Sequence, residues 1–395
     1  FYNNEILEIK KRIDATVVAI ERQKDVYYQK ITDFAKPLRN FHNYIKSNII
    51  FTYCSPKYIN KSYKKMSVLD VGVGRGGDIQ KFFHSKVGKY VGIDPDSHGI
   101  HSSTDGAISR YNNFRRKMPN FPKMDFIVAD AGTKFDVDSQ VKSLGKMSDS
   151  NINLIKEHFT EQKYDIFNCQ LMIHFLLKDE TTWSNFCYNI NTFLEDDGYV
   201  LITTFDGEKL HELFNKGKGS ILEMYTEDGN KKKFFEFRSS YNLDDKNINK
   251  LGLSYDSFVA MFKDAENFDT EYLVPEKFLV DSLKKNCNLD LLEVNDFYQF
   301  YEQQKEFFKN IAPNEENRDS KNFFMKISQY YDLDNDVNRA SLEFTKLHKY
   351  YIFRKNSIRK VNNIEKSGKV NNSNKNIKKS SLIDKYLNSE STISF

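Results

Sequence analysis

The sequence predicts an α/β protein with a mostly parallel sheet, helices on both of its faces and a small β-rich insertion. Three observations predict it. Apolar segments (SVLDVG, KYVGID, DFIVAD, YDIFNCQ, GYVLITTFDG) alternate with helical ones from Ser67 to Gly207, the pattern of parallel strands joined by crossover helices. The first segment runs into a glycine-rich turn, VLDVGVGRGGD, Val68 to Asp78. Asp70, Asp94, Asp130 and Gln170 end successive strands and so face one crevice, at the edge where open α/β sheets bind ligands.

The elements follow in order. Residues 1–35 read as an N-terminal helix or interdomain linker, with Ile6, Ile9, Ile13, Val17 and Ile20 at helical spacing. A second helix, PLRNFHNYIKSNIIFTYC, carries Phe41, Ile45, Ile49 and Ile50 on one side. Strand SVLDVG, a helix from Asp78 to Phe83, strand KYVGID, a helix around Ser103 to Lys117 and strand DFIVAD come next. A polar excursion from Ala131 to Lys163, with a helix at Asn151 to Phe159, precedes YDIFNCQ. A helix from Thr181 to Phe193 then crosses back to GYVLITTFDG.

The alternation stops after Gly207. Residues 208–275 hold KKKFFEFR and TEYLV, separated by polar turns, with YDSFVAMF readable as strand or helix; they form an insertion over the carboxyl edge of the sheet. PEKFLVDSLKKN is a helix with proline in its first turn, LDLLEV resumes the sheet, and KYYIFRK closes it. The main domain spans 36–360, and the Ser/Asn/Lys-rich tail 361–395 is too polar to bury a core and reads as disordered.

Composition narrows the function classes. With 59 basic against 55 acidic residues the formal charge is only +4, so any basic surface is local. Cys54, Cys169, Cys187 and Cys287 have neither zinc-ligand spacing nor a disulfide framework and read as reduced, buried thiols; no metal is expected. No apolar run is long enough to span a bilayer, no signal-peptide core opens the chain, and the setting reads as intracellular. A start without methionine fits a piece of a longer polypeptide.

The glycine turn discriminates between ligands. Gly72, Gly74 and Gly77 fit G-x-G-x-x-G, with Asp94 twenty positions after Gly74, as in a dinucleotide site. Asp70 argues otherwise, because a carboxylate ahead of the turn gains nothing from a pyrophosphate. It suits S-adenosylmethionine, which carries a sulfonium and an ammonium; Asp94 then takes the ribose hydroxyls and Asp130 reaches the adenine amino group. Arg75, Lys81 and Arg110 make a cationic rim suited to a polyphosphate. His174 and Phe175 follow the fourth strand and border the same crevice. Glu271, read alone, is a strand-end acid. No acid/base dyad and no post-strand lysine is placed for a dehydrogenase or a hydroxyl methyltransferase.

Together LRNFHNYIKS, VLDVGVGRGGD, SRY at Ser109 to Tyr111, YDIFNCQLMIHF, GYVLITTFDG, TEYLV and YYIFRK resemble the messenger-RNA cap guanine-N7 methyltransferases, above all those within the capping enzymes of large DNA viruses of the poxvirus and giant-virus type. The resemblance covers Lys36 to Lys355 and implies a Rossmann-like, class I methyltransferase fold with seven strands, S-adenosylmethionine as donor and 5′-capped RNA as substrate. It places Lys46, Gly72, Asp94, Asp130 and Gln170 on the donor, beside Asp70. It places His42, Asn43, Arg75, Lys81, Arg110, His174, Phe175 and Glu271 around the cap, with the insertion covering the cap pocket. The family's closing-strand tyrosine aligns with His348, which shares a strand face with Tyr350; Tyr350 is named for the pocket. Upstream triphosphatase and guanylyltransferase domains and a small activating subunit are implied as partners, and the cytoplasm or the virion as location. A non-catalytic or partner-dependent cap-binding module with a methyltransferase fold is the alternative.

Overall fold

The computed structural model describes residues 33–55, 64–118, 120–263, 267–311 and 318–357, so the expected N-terminal helix, apart from its last residues, and the tail lie outside the described residues. Five strands come first: β1 (Ser67–Val71), β2 (Lys89–Asp94), β3 (Met124–Val128), β4 (Tyr164–Gln170) and β5 (Leu194–Phe205). β6 (Ser220–Glu227), β7 (Asn230–Ser239), β8 (Ser254–Val259) and β9 (Asp269–Tyr272) form a separate antiparallel sheet in that order. β10 (Leu289–Asp296) and β11 (His348–Lys355) rejoin the first sheet, whose order is β10-β11-β5-β4-β1-β2-β3.

The seven-stranded sheet is the one expected. β1 through β5 pair in parallel, and β11 lies antiparallel between β5 and β10. The chain builds outward from β1 through β2 to β3, then returns to β4 on the other side. A crevice therefore opens between the carboxyl ends of β1 and β4, where neighbouring connections leave in opposite directions.

Both faces of the sheet are apolar, as a parallel sheet between helices requires. Val68, Ile166 and Leu201 point into one core with Phe41, Ile45 and Ile49 of α1 (Lys36–Cys54), while Leu69, Phe167 and Ile202 point into the other with Trp183, Phe186 and Ile190 of α7 (Glu180–Phe193). Between these helices the chain forms α2 (Ile79–His84), α3 (Ser97–His101), α4 (Ala107–Lys117), α5 (Val137–Leu144) and α6 (Asp149–His158). The smaller sheet packs on the α1 side through Phe234, Phe235, Phe237 and Tyr255.

Three differences from the sequence reading stand out. YDSFVAMF resolves as a strand, β8, because Tyr255 and Ser257 pair across to Glu271 and Asp269. The insertion opens with a helix, α8 (Gly207–Lys216), capped by the Asp206 carboxylate. After α9 (Glu276–Cys287), the stretch between β10 and β11 is helical: α10 (Phe297–Glu306), α11 (Arg318–Ser328) and α12 (Asp336–Thr345) wrap α1 with aromatic side chains. All four cysteines are free and buried, as expected.

Candidate active site

β1 delivers the chain into a turn that needs glycine. Gly72 (φ 78°) and Gly74 (φ 51°) adopt left-handed backbone. A Cβ at Gly72 would stand 2.8 Å from the Met172 side chain, whereas one at Gly74 would meet nothing within 4 Å and would project into open space. The third left-handed glycine is Gly76 rather than the motif's Gly77.

Over this turn lies a cavity of about 1200 Å³ lined by Gly72, Gly74, Arg75, Asp94, Asp130, Gln170 and Phe175, among others. The far wall comes from the polar excursion between β3 and β4: Leu144, Lys146, Met147, Ser148 and Asn151.

The acids at the strand ends are held by backbone. Asp94 accepts from the Gly74 amide at 2.8 Å and the Asp96 amide at 2.9 Å, and burial pushes its carboxyl up to about 6. Each oxygen keeps a lone pair for a ligand hydroxyl. Asp130 accepts from the Gly132 amide at 2.8 Å, the Ser143 hydroxyl at 2.9 Å and the Thr133 hydroxyl at 3.0 Å.

Asp70 is a correction. It is 3% exposed and does not line the cavity. Tyr90 donates to one oxygen at 2.6 Å and the Asn168 amide to the other at 2.7 Å. Burial, reinforced by the nearby Asp78 charge, raises its carboxyl to about 7 against the two hydrogen bonds. The chain continues to the crevice: Gln170 donates to Asn168 at 2.7 Å, and Thr203 donates to Gln170 at 3.1 Å while accepting from the Leu171 amide at 3.0 Å. Asp70 thus supports the floor under Gln170.

The cations gather around acids that the sequence reading did not single out. Lys46 on α1 and Lys81 on α2 lie 3.0 and 2.6 Å from the same Asp78 oxygen, and Lys81 also reaches the Asn43 side chain at 3.1 Å. Burial alone would raise the Asp78 carboxyl, but the two ammonium groups outweigh it and hold it well below the usual carboxylate range. Asp105 pairs with Arg75, and Arg110 stands in the field of both. The only sign of Asp78 in the sequence was its place as the acid opening α2.

The smaller sheet brings the remaining group. Glu271 on β9 is fully buried; its oxygens accept from Tyr255 at 2.8 Å and Ser257 at 2.6 Å, and one lies 3.8 Å from His174 Nε2. His174 is 1% exposed, neither ring nitrogen has a hydrogen-bond partner among the described residues, and burial lowers its imidazole below the usual value against the opposing pull of Glu271. Phe175 sits at the boundary, its ring 4.2 Å from His174 and 36% exposed toward the cavity.

Two other expected cap residues lie elsewhere. The Tyr350 hydroxyl donates to Glu293 at 2.6 Å, and Tyr53 donates to the same carboxylate, so its phenol serves the core rather than the pocket. His348, on the same strand face, is the one beside Phe205 and within the field of His174; burial lowers its imidazole to about 3. His42 is enclosed by Phe297, Phe344 and His348, with Nε2 2.9 Å from the Thr345 hydroxyl, so it is a core residue at the back of this group.

Comparison with known proteins decides the family. The family model for the mRNA (guanine-N(7))-methyltransferase domain matches residues 20–356. The chain belongs to that family. Among its relatives, a probable mRNA-capping enzyme of Acanthamoeba polyphaga mimivirus is 38% identical over 93% of this chain and 31% of its own length. The mRNA-capping enzyme catalytic subunit of fowlpox virus is 24% identical over 79% of this chain and 32% of its own. The mRNA cap guanine-N(7) methyltransferase of Saccharomyces cerevisiae is 24% identical over 68% and 54%. The chain spans about a third of the length of the viral capping enzymes it matches. A putative S-adenosylmethionine dependent methyltransferase structure from Listeria monocytogenes covers 81% of this chain at 10% identity with a TM-score of 0.40; the fold assignment rests on the strand order instead. Among the described residues no helix is long and apolar enough to cross a membrane.

Proposed function

We propose that this domain transfers the methyl group of S-adenosylmethionine to N7 of the guanine in a 5′ GpppN cap. The observation that carries the reading is the meeting of two sites at Phe175: an open crevice floored by Gly72, Gly74, Asp94, Asp130 and Gln170, and the enclosed Glu271–His174 pair directly behind. The residues fit the donor: the bare Gly74 lets a ligand approach the backbone, and Asp94 and Asp130 retain acceptor capacity for hydroxyl and amino donors.

The bound donor supplies an electrophilic methyl on a sulfonium. Guanine N7 carries an in-plane lone pair and no proton, so the transfer needs no general base, and the protein's part is to align the two substrates. Such alignment contributes roughly 7–11 kcal/mol in favourable cases. Glu271 accepts from guanine N1 and N2, which orients the base, favours the positive charge that develops on the ring and rejects adenine. His174 completes the wall, and Phe175 offers its ring to the base. Arg75, Arg110 and Lys81, which is tethered to Asp78, supply positive field along the triphosphate, while Lys46, held by the same carboxylate, serves the donor. Asn43 joins them through Lys81.

The remaining steps of cap formation, triphosphatase and guanylyltransferase, belong in this reading to other domains of a longer polypeptide, and a small activating subunit and a cytoplasmic or virion location follow from the same resemblance. Methyl transfer from labelled donor to GpppA-capped and uncapped short RNA tests the proposal. Label recovered as N7-methylguanosine from capped RNA alone is expected; label on uncapped RNA, or at any other position, overturns it.

A further inference from the structure

The crevice does not end at the triphosphate cations. α4 starts beside Asp105, next to Arg75, and contains no acidic residue: its charges are Arg110, Arg115, Arg116 and Lys117. In a chain whose net charge is only +4, this is a concentrated basic segment. Arg115, Arg116 and Lys117 are exposed. Arg115 lies over the Tyr111 ring at 5.8 Å, and Arg116 is steadied by Asn113 on the same helix.

An aromatic feature runs alongside. Phe83 from α2, Phe121 from the loop before β3 and Phe114 from α4 form a parallel stack, with centroids 4.6 and 5.5 Å apart and ring planes within 9° and 7°. The middle ring, Phe121, is 5% exposed, but the outer rings, Phe83 and Phe114, are only half-buried. Phe114 follows Arg110 by four residues and Lys117 by minus three, so the three share one helical face leading away from the crevice. Phe83 follows Lys81 by two. Arg115 and Arg116 stand roughly 100° and 200° round the helix from Phe114, so with Lys117 they ring the last turn of α4 instead of lining that one face. Cations beside half-open ring faces suit a single nucleic-acid strand held without reading its sequence, its phosphates on the cations and its nucleobases against the rings.

We propose that the edge where the last turn of α4 meets the Phe83 and Phe114 rings is the track for the first nucleotides of the RNA beyond the cap, with Arg115, Arg116 and Lys117 on the backbone phosphates and Phe83 and Phe114 as stacking surfaces. The inference rests on the reading of the crevice as a cap-methylating site. The occupant is single-stranded RNA because the face is cationic, carries no acid along its helix, and continues from the residues assigned to the triphosphate.

The test compares two acceptors, the GpppA dinucleotide and a GpppA-capped RNA of about ten nucleotides, with wild type, the triple variant Arg115→Ala/Arg116→Ala/Lys117→Ala, and Phe114→Leu. The triple variant is expected to raise KM for the capped RNA roughly tenfold and leave KM for GpppA unchanged. Removing three phosphate contacts should also reduce the slope of log KM against log salt by about 2 for the RNA. Phe114→Leu should raise KM for the RNA alone, with the slope unchanged. An unaltered KM for the RNA, or an equal rise for both acceptors, overturns the track. Fluorescence anisotropy with uncapped RNA of the same length separates the two proposals. If wild type methylates neither acceptor the cap reading fails, and weaker RNA binding by the triple variant still supports the track, whereas equal binding rejects it.

Discussion

The two halves of the crevice are built on opposite plans. On the side proposed for the donor, the acids at the end of β2 and after β3 are fixed by backbone amides, with two hydroxyls added at Asp130, and face an open cavity. On the acceptor side, Glu271 and His174 are sealed behind Phe175, with Glu271 already holding Tyr255 and Ser257. The difference follows from the origin of the parts. The donor half comes from a single parallel sheet whose turns end at one edge. The acceptor half requires a second sheet, inserted after β5, to lay β9 against the segment following β4. On the proposed reading, in which the open half holds the donor and the enclosed half the guanine, the base and not the donor has to displace existing packing.

The sharpest way to break this comparison is Glu271→Gln. The substitution keeps the shape but takes away the negative charge and one acceptor facing the guanine edge, so kcat/KM for capped RNA should fall roughly 100-fold or more, with donor affinity by calorimetry changed less than about twofold. Equal losses in both would show that the halves are one site.

A smaller effect probes the floor beneath the donor side. The Asp70 carboxyl titrates near 7 in the folded chain, above the about 3.9 of an unfolded aspartate. A raised acid stabilises the fold fully below its unfolded value, and that contribution is lost as pH rises from about 4 to about 7. Asp70→Asn removes the charge but can still accept from Asn168, so its urea midpoint should vary less than wild type's between pH 5 and pH 8. A wild-type midpoint that rises over this interval through residue 70 would contradict the assignment.

The smallest expected effect falls on Tyr350→Phe. Loss of its hydrogen bond to Glu293 should lower stability by about 1 kcal/mol and leave KM for the cap unchanged. A marked rise in KM would return Tyr350 to the pocket.

What could be read from the chain follows the same division. The lining of the open cavity was legible because its residues are adjacent in sequence to apolar strands: Asp94 and Asp130 close KYVGID and DFIVAD, and the glycines follow SVLDV. Asp70 misled because β1 is buried on both faces, so its alternation gives no sign of whether a carboxylate looks toward the crevice or into the sheet. Its partners Tyr90 and Asn168 come from neighbouring strands 20 and 98 residues away. Tyr350 failed for a related reason. Strand periodicity put it on the same face as His348, but a two-residue step along β11 carried the phenol to Glu293 on β10. Glu271 became a candidate through family resemblance alone, since nothing in TEYLV foretells that Tyr255 and Ser257 will pair opposite it. The helices between β10 and β11 escaped because their aromatic residues pack on α1, more than 200 residues earlier in the chain.

The far wall of the cavity carries a consequence for inhibitors. Leu144 to Asn151 belong to a connection between strands, the kind of segment that varies in length and side chains among related enzymes, whereas Asp94 and Gly74 are locked to each other at the opposite end. On the proposed reading, in which Asp94 takes the ribose and Asp130 the adenine, a donor analogue that grows from its adenine end toward Met147 and Lys146 would meet the least constrained part of the site. Selectivity against other methyltransferases sharing the same glycine turn is therefore to be sought in that direction, rather than at the reacting methyl group.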